Sequence, residues 1–243
     1  MVKVEETTQG VLDKISEGFE QKGAYNLRQN GISICHGDSE HIKIKKKEDK
    51  QGIDIYIDGE TKGEKVFIPV VVSVSGMTDL VYNDFYIADG ADVDIIAGCG
   101  IHNSGCNESR HDGIHTFHVG KNANVRYEEK HYGEGNGTGS RILNPVTNIE
   151  LGENSVFTLD TVQIKGVDST VRETNVSMDA DAKLFVLERL MSRIVFNYVP
   201  DTALSGSGIK VTSVRLCDAA CMSTPFCTGF RADEKSVLDG DFA

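Results

Sequence analysis

The sequence predicts an all-β chain: a right-handed β-helix (solenoid) core with a short N-terminal helix and an irregular C-terminal tail. Three observations carry this. From Gly31 onward the segments GISICHG, IKIKKK, IDIYID, VFIPVVVSV, LVYNDFYI and VDIIAG are short, rich in Val and Ile, and separated by Gly, Asp and Asn turns, as strands are. Four segments, beginning at Ile87, Val119, Leu151 and Met178, repeat one pattern of a Gly/Asp/Asn turn, a small residue and an alternating strand. The small residues Ala91, Ala123, Ser155 and Ala182 lie 32, 32 and 27 positions apart. Self-similarity at such a period marks stacked coils, each burying its inner face only against its neighbours.

The elements follow in order. Val11, Leu12, Ile15 and Phe19 recur at helical spacing and Gly23 follows as a stop, so a helix is expected over about Gln9 to Gln21. The basic stretch from Lys43 to Lys47 alternates with Ile42 and Ile44 and reads as a strand with a solvated cationic face. In the repeats, counting by twos from each small residue places Val93, Ile95, Ala97 and Cys99 on one face of the first coil. The same count gives Val125, Tyr127, Glu129 and His131 in the second, and Phe157, Leu159, Thr161 and Gln163 in the third. Coils paired in this register stack Cys99, His131 and Gln163 about 4.8 Å apart. Such a column either shares a metal or is an ordinary polar ladder where the core meets the loops.

Bulk properties exclude some partners. The chain has 243 residues and a formal net charge of -12, enough length for one sizeable core and the wrong sign for nucleic acid or an anionic membrane surface. No apolar leader follows Met1, and the longest apolar run, Phe67 to Val74, is too short to span a bilayer. A cytoplasmic protein is expected, with its six cysteines as thiols or ligands rather than disulfides.

Five of the seven histidines and two of the six cysteines fall between Cys99 and His131. Thiol, imidazole and carboxylate gathered this way are soft-metal and cluster chemistry. The candidate metal ligands are Cys99, His111, His115 and His131. Cys99, Cys106, His102, His131 and Glu129 are the candidates for holding a larger inorganic group. His115 and His118, three apart, leave opposite faces of a strand, which counts against the H-x-H grip of a cupin. His111 and His115 share parity, although Asp112-Gly113 between them reads as a turn. The Gly-rich run from Gly133 to Gly139 lacks a following helix or a Walker motif and reads as a flexible surface loop.

A further set of segments stands out between about Gly23 and Ser192: KGAYNLRQNG (22–31), GIDIYI (52–57), IPVVV (68–72), VYNDFYI (81–87), GCGIHN (98–103), HDGIH (111–115), EKHYGEGNGTGSR (129–141), LNP (143–145), QIKGVDST (163–170) and LERLM (187–191). On these segments the chain resembles the SufB/SufD family of iron-sulfur cluster assembly proteins, its short single-subunit members above all. The resemblance implies a β-helix and a non-catalytic scaffold on which a transient iron-sulfur cluster is built. Its partners would be a Suf-type ABC ATPase, a second copy of itself or a paralogous scaffold subunit, and, indirectly, a cysteine desulfurase.

The expected organisation is an N-terminal helical segment (1–29), the SufB/SufD-like β-helix (30–192) and an atypical tail (193–243). The family's downstream blocks cannot be placed in that tail, which holds Cys217, Cys221 and Cys227. It reads either as a frameshifted or disordered stretch or as an extension binding metal through C-x3-C-x5-C spacing. Two other readings of the whole chain remain: a β-solenoid interaction protein without metal, and a cupin-like mononuclear metal enzyme.

Overall fold

The computed structural model describes residues 2–190, all within one unit, Met1–Ser192. The tail with Cys217, Cys221 and Cys227 lies outside the described residues. Among the described residues one helix, α1 (Glu6–Ile15), precedes fifteen strands. They are β1 (Ala24–Gln29), β2 (Ile32–Gly37), β3 (Ile42–Lys46), β4 (Gly52–Ile57), β5 (Lys62–Phe67), β6 (Val70–Val72), β7 (Thr78–Ile87) and β8 (Asp92–His102). After them come β9 (Ser109–Val119), β10 (Asn124–Glu134), β11 (Arg141–Leu143), β12 (Val146–Leu151), β13 (Val156–Lys165), β14 (Glu173–Met178) and β15 (Lys183–Leu190).

From β4 onward the chain alternates between two sheets. The first runs β15-β13-β10-β8-β5-β1-β2, with β6 beside β1 and β8; the second runs β14-β12-β9-β7-β4-β3, with β11 beside β9. Neighbours of successive coils are parallel, so the described residues form a two-sheet β-solenoid of about four turns. Antiparallel pairs close the first end, β1 with β2 and β3 with β4. Asn30 and Gly31 between β1 and β2 both have positive φ, the two-residue hairpin turn that Asn-Gly favours.

The repeat has a turn as its physical basis. Ala91, Ala123, Ser155 and Ala182 each donate a backbone bond to the carbonyl three residues earlier. The residue just before each, Gly90, Asn122, Asn154 and Asp181, is left-handed, a conformation tolerated by Gly, Asn and Asp. Behind the turns, stacked inward positions form the main core around Phe85, Phe117, Tyr127 and Phe157.

Three local expectations are corrected. The helix begins at Glu6 and ends at Ile15, with Phe19 beyond it yet packed on the same cluster. Lys47 is not on a solvated face: it is buried and paired with Asp54 and with Asp84 at 2.7 Å. The Gly133–Gly139 run is no loose loop but an extra rung stacked on residues 103–107. Gly137 and Gly139 donate to the carbonyls of Asn103 and Gly105 at 3.1 and 3.0 Å. A Cβ on Gly135, which has φ +110, would stand 2.1 Å from the Asn103 carbonyl oxygen, so glycine here permits backbone to approach backbone. Among the described residues no helix is long and apolar enough to cross a membrane.

Candidate functional site

The GCGIHN segment explains its own glycines. Gly98 and Gly100 of β8 point outward under α1, where added Cβ atoms would stand 2.5 Å from the Ile15 oxygen and 2.2 Å from a Val11 methyl. The helix therefore closes directly on the strand, and the residue between the glycines, Cys99, faces inward and is buried.

The expected register holds. Cys99 pairs with His131 and His131 with Gln163, and one step nearer the turns Ala97, Glu129 and Thr161 form the next column. Cys99, Glu129 and His131 are all buried. On the other sheet, β9 is continuous from Ser109 to Val119, so Asp112-Gly113 is not a turn. His111 and His115 both face the interior, while His118 lies outside, stacked on Tyr86 and bonded to Glu150 at 2.6 Å.

The ring tips of His111 and His115 converge over Gly113. The position its Cβ would take is 2.8 Å from His115 Nε2 and 3.4 Å from His111 Nε2. Each ring is held from behind. His111 Nδ1 lies 3.0 Å from Asp79 Oδ2; a carboxylate only accepts, so Nδ1 is the donor in this bond. Tyr127 donates its hydroxyl proton to Glu129 at 3.3 Å and so accepts from His115 Nδ1, also at 3.3 Å. His111 Nε2 and His131 Nδ1 are buried without a hydrogen-bond partner.

The charges are set by the same contacts. Burial raises the Asp79 carboxyl, but hydrogen bonds from His111 and Arg28 outweigh it and hold the group well below the usual carboxylate range. Arg28 grips Asp79 through two bonds of 3.0 and 2.6 Å. Glu129 is likewise raised by burial and lowered further by His131 and Arg172. Burial lowers His115 to about 4, leaving it neutral. Burial and the nearby Glu129 and Asp79 charges push the Cys99 thiol well up, so a metal binding there must displace a proton.

Cys99, Glu129, His131, His111 and His115 are thus gathered in one interior. His102 and Cys106 are not: His102 is half-buried and bonded to Glu134 at 3.1 Å, and Cys106 is exposed. Sequence reasoning missed Asp79, Arg28, Tyr127's role and Arg172. The inward parity of β7 (Asp79, Val81, Asn83, Phe85, Ile87) could have found Asp79; Arg172 comes from a non-repeating connection with no such signal. Among the described residues, no three His, Cys, Asp or Glu side chains stand ready to coordinate a metal ion as they are placed.

Fold and site together define a class: a two-sheet β-solenoid with a histidine, carboxylate and thiol cluster between its sheets. No protein-family model matches the chain, and neither a curated protein nor a solved structure matches it.

Proposed function

We propose that this chain is a scaffold subunit of a Suf-type iron-sulfur cluster assembly complex, working with an ABC-type ATPase. The observation that supports it best is the Cys99–His131 rung with Glu129 one column away and His111 and His115 across the interior. Thiolate and imidazole are the donors that hold such clusters. The cluster is cargo: Cys99 and His131 receive it, Glu129 accepts the proton that the thiol gives up, and the sheets keep water out. A second copy or a paralogous scaffold completes the ligand set, with a cysteine desulfurase as the ultimate sulfur source.

Anaerobic incubation of the full chain with iron and sulfide tests this. Thiolate-to-iron charge-transfer absorption that develops in the wild type and is lost in Cys99→Ser supports it; its absence in the wild type overturns it. The second reading, a metal-free interaction solenoid, rests on the last described coil. There the inward positions Val176 and Met178 are 39% and 47% exposed.

A further inference from the structure

We infer that the space over Gly113 is a seat for one divalent transition-metal ion, held by His111 Nε2 and His115 Nε2 and independent of the Cys99 thiol. It shares its interior with the scaffold reading, but it rests on that reading only for the use to which the ion is put.

Three features point to a ligand. Two imidazole nitrogens from positions i and i+4 of one strand close on the same place over Gly113, 2.8 and 3.4 Å from the point where a side chain would begin. Four residues along a strand separate backbones by about 13 Å, so the rings lean toward each other, and only a residue without a side chain between them lets their tips approach. Next, His111 Nε2 is buried and has no partner, which costs free energy unless something fills the gap. Last, both rings have carboxylate support on the far nitrogen, Asp79 directly and Glu129 through Tyr127. A carboxylate behind a ligating histidine fixes its tautomer and raises its basicity, which is the outer shell of a metal site.

Asp79 is further anchored by Arg28, which also bonds Gln51 at 3.0 Å. The support is therefore rigid before any ion arrives. Two imidazole nitrogens suit zinc(II), iron(II) or cobalt(II) rather than the hard oxygen-seeking cations. Small ring rotations would bring both nitrogens to the 2.0–2.1 Å that such ions require. The remaining positions stay open for water or cargo, with His131, whose Nδ1 is also unpartnered, on the facing strand.

The test is cobalt(II) titration of the full chain under anaerobic conditions without sulfide, read by visible ligand-field bands. One equivalent should bind, and Cys99→Ser should keep both the stoichiometry and a spectrum free of sulfur-to-cobalt charge transfer. Gly113→Ala, which drives a methyl against His115 Nε2, and His115→Gln should each weaken binding at least tenfold. Asp79→Asn should weaken it roughly 10- to 100-fold. Independently of any variant, zinc(II) should shift the Nε2 nitrogen resonances of two histidines in the wild-type chain and raise its unfolding midpoint. No saturable uptake, or uptake that Cys99→Ser abolishes and Gly113→Ala leaves intact, overturns the seat. Failure to build a cluster while cobalt still binds overturns only the scaffold reading.

Discussion

The interior of each coil has two halves made from the same strands. Near the repeating turns it is apolar: Phe85 and Phe117 stack at 4.4 Å, Phe117 meets Phe157 edge-on at 5.1 Å, and Val93, Val125 and Leu151 fill the remainder. Four to six residues away along each strand, the same inward face carries Asp79, His111, Gly113, Cys99, Glu129 and His131. The first half stabilises by removing apolar area and by close packing. The second buries charges whose desolvation offsets much of their attraction. A chain selected for stability alone would extend the first half through the second; this one instead places its titratable and metal-ligating side chains there.

The sharpest way to break that contrast is to damage both halves and then try to rescue them. Phe117→Ala should cost about 4 kcal/mol by leaving a void, and Asp79→Ala about as much by leaving Arg28 buried without its partner. Urea unfolding monitored by circular dichroism measures both. The rescues should differ. Replacing the triad with Asp79→Leu, Arg28→Met and His111→Leu together should recover most of the loss, because the unpaired charges go with it, and should abolish cobalt binding. If the triple variant stays as unstable as Asp79→Ala, the polar half is structural.

Acid sharpens the comparison at a somewhat smaller scale. His115 has its folded pKa lowered from 6.5 to about 4. Above pH 6.5 it is neutral folded or unfolded; between 6.5 and 4 the unfolded chain takes up a proton that the folded chain refuses, so stability falls as pH falls. The full effect is about 3 kcal/mol, complete near pH 4. Asp79 and Glu129, both depressed, add stability above the ordinary carboxylate range that is lost below it, in the same direction but at lower pH. In chelator-treated protein, unfolding midpoints should drop between pH 6.5 and 4, and His115→Phe, beside Phe85, should flatten that segment. An unchanged slope in the variant would assign it to other groups.

What was legible in the sequence follows the same division. The coil period was readable because each turn needs a left-handed residue and then a small one, a chemical demand that repeats at Gly90, Asn122, Asn154 and Asp181. The Cys99–His131–Gln163 column followed from parity alone. Contacts across the two sheets were not legible, since nothing local says that Arg28 of β1 meets Asp79 of β7, or that Arg172 reaches Glu129. Gly113 was read as a turn residue because a glycine looks the same whether it bends a chain or leaves a gap. The 133–139 glycines misled for a related reason: their use, stacking backbone on backbone, appears only when the preceding coil is beneath them.

The outer face offers the mildest test. Tyr56, Tyr86 and His118 occupy successive rungs of the second sheet with ring centroids 5.0 Å apart and nearly parallel planes, and His118 continues to Glu150. The ladder resembles the interior column in register but stands in water, with Tyr86 38% exposed. Solvent takes the place of the missing partner there, so truncation leaves no void and no orphaned charge. Tyr86→Ala should therefore cost only about 1 kcal/mol, the worth of two aromatic pairs at a wet surface, and leave cobalt binding untouched. A loss near that of Phe117→Ala would mean the outer ladder clamps the coils together as strongly as the core does, and the contrast between inside and outside positions would have to be redrawn.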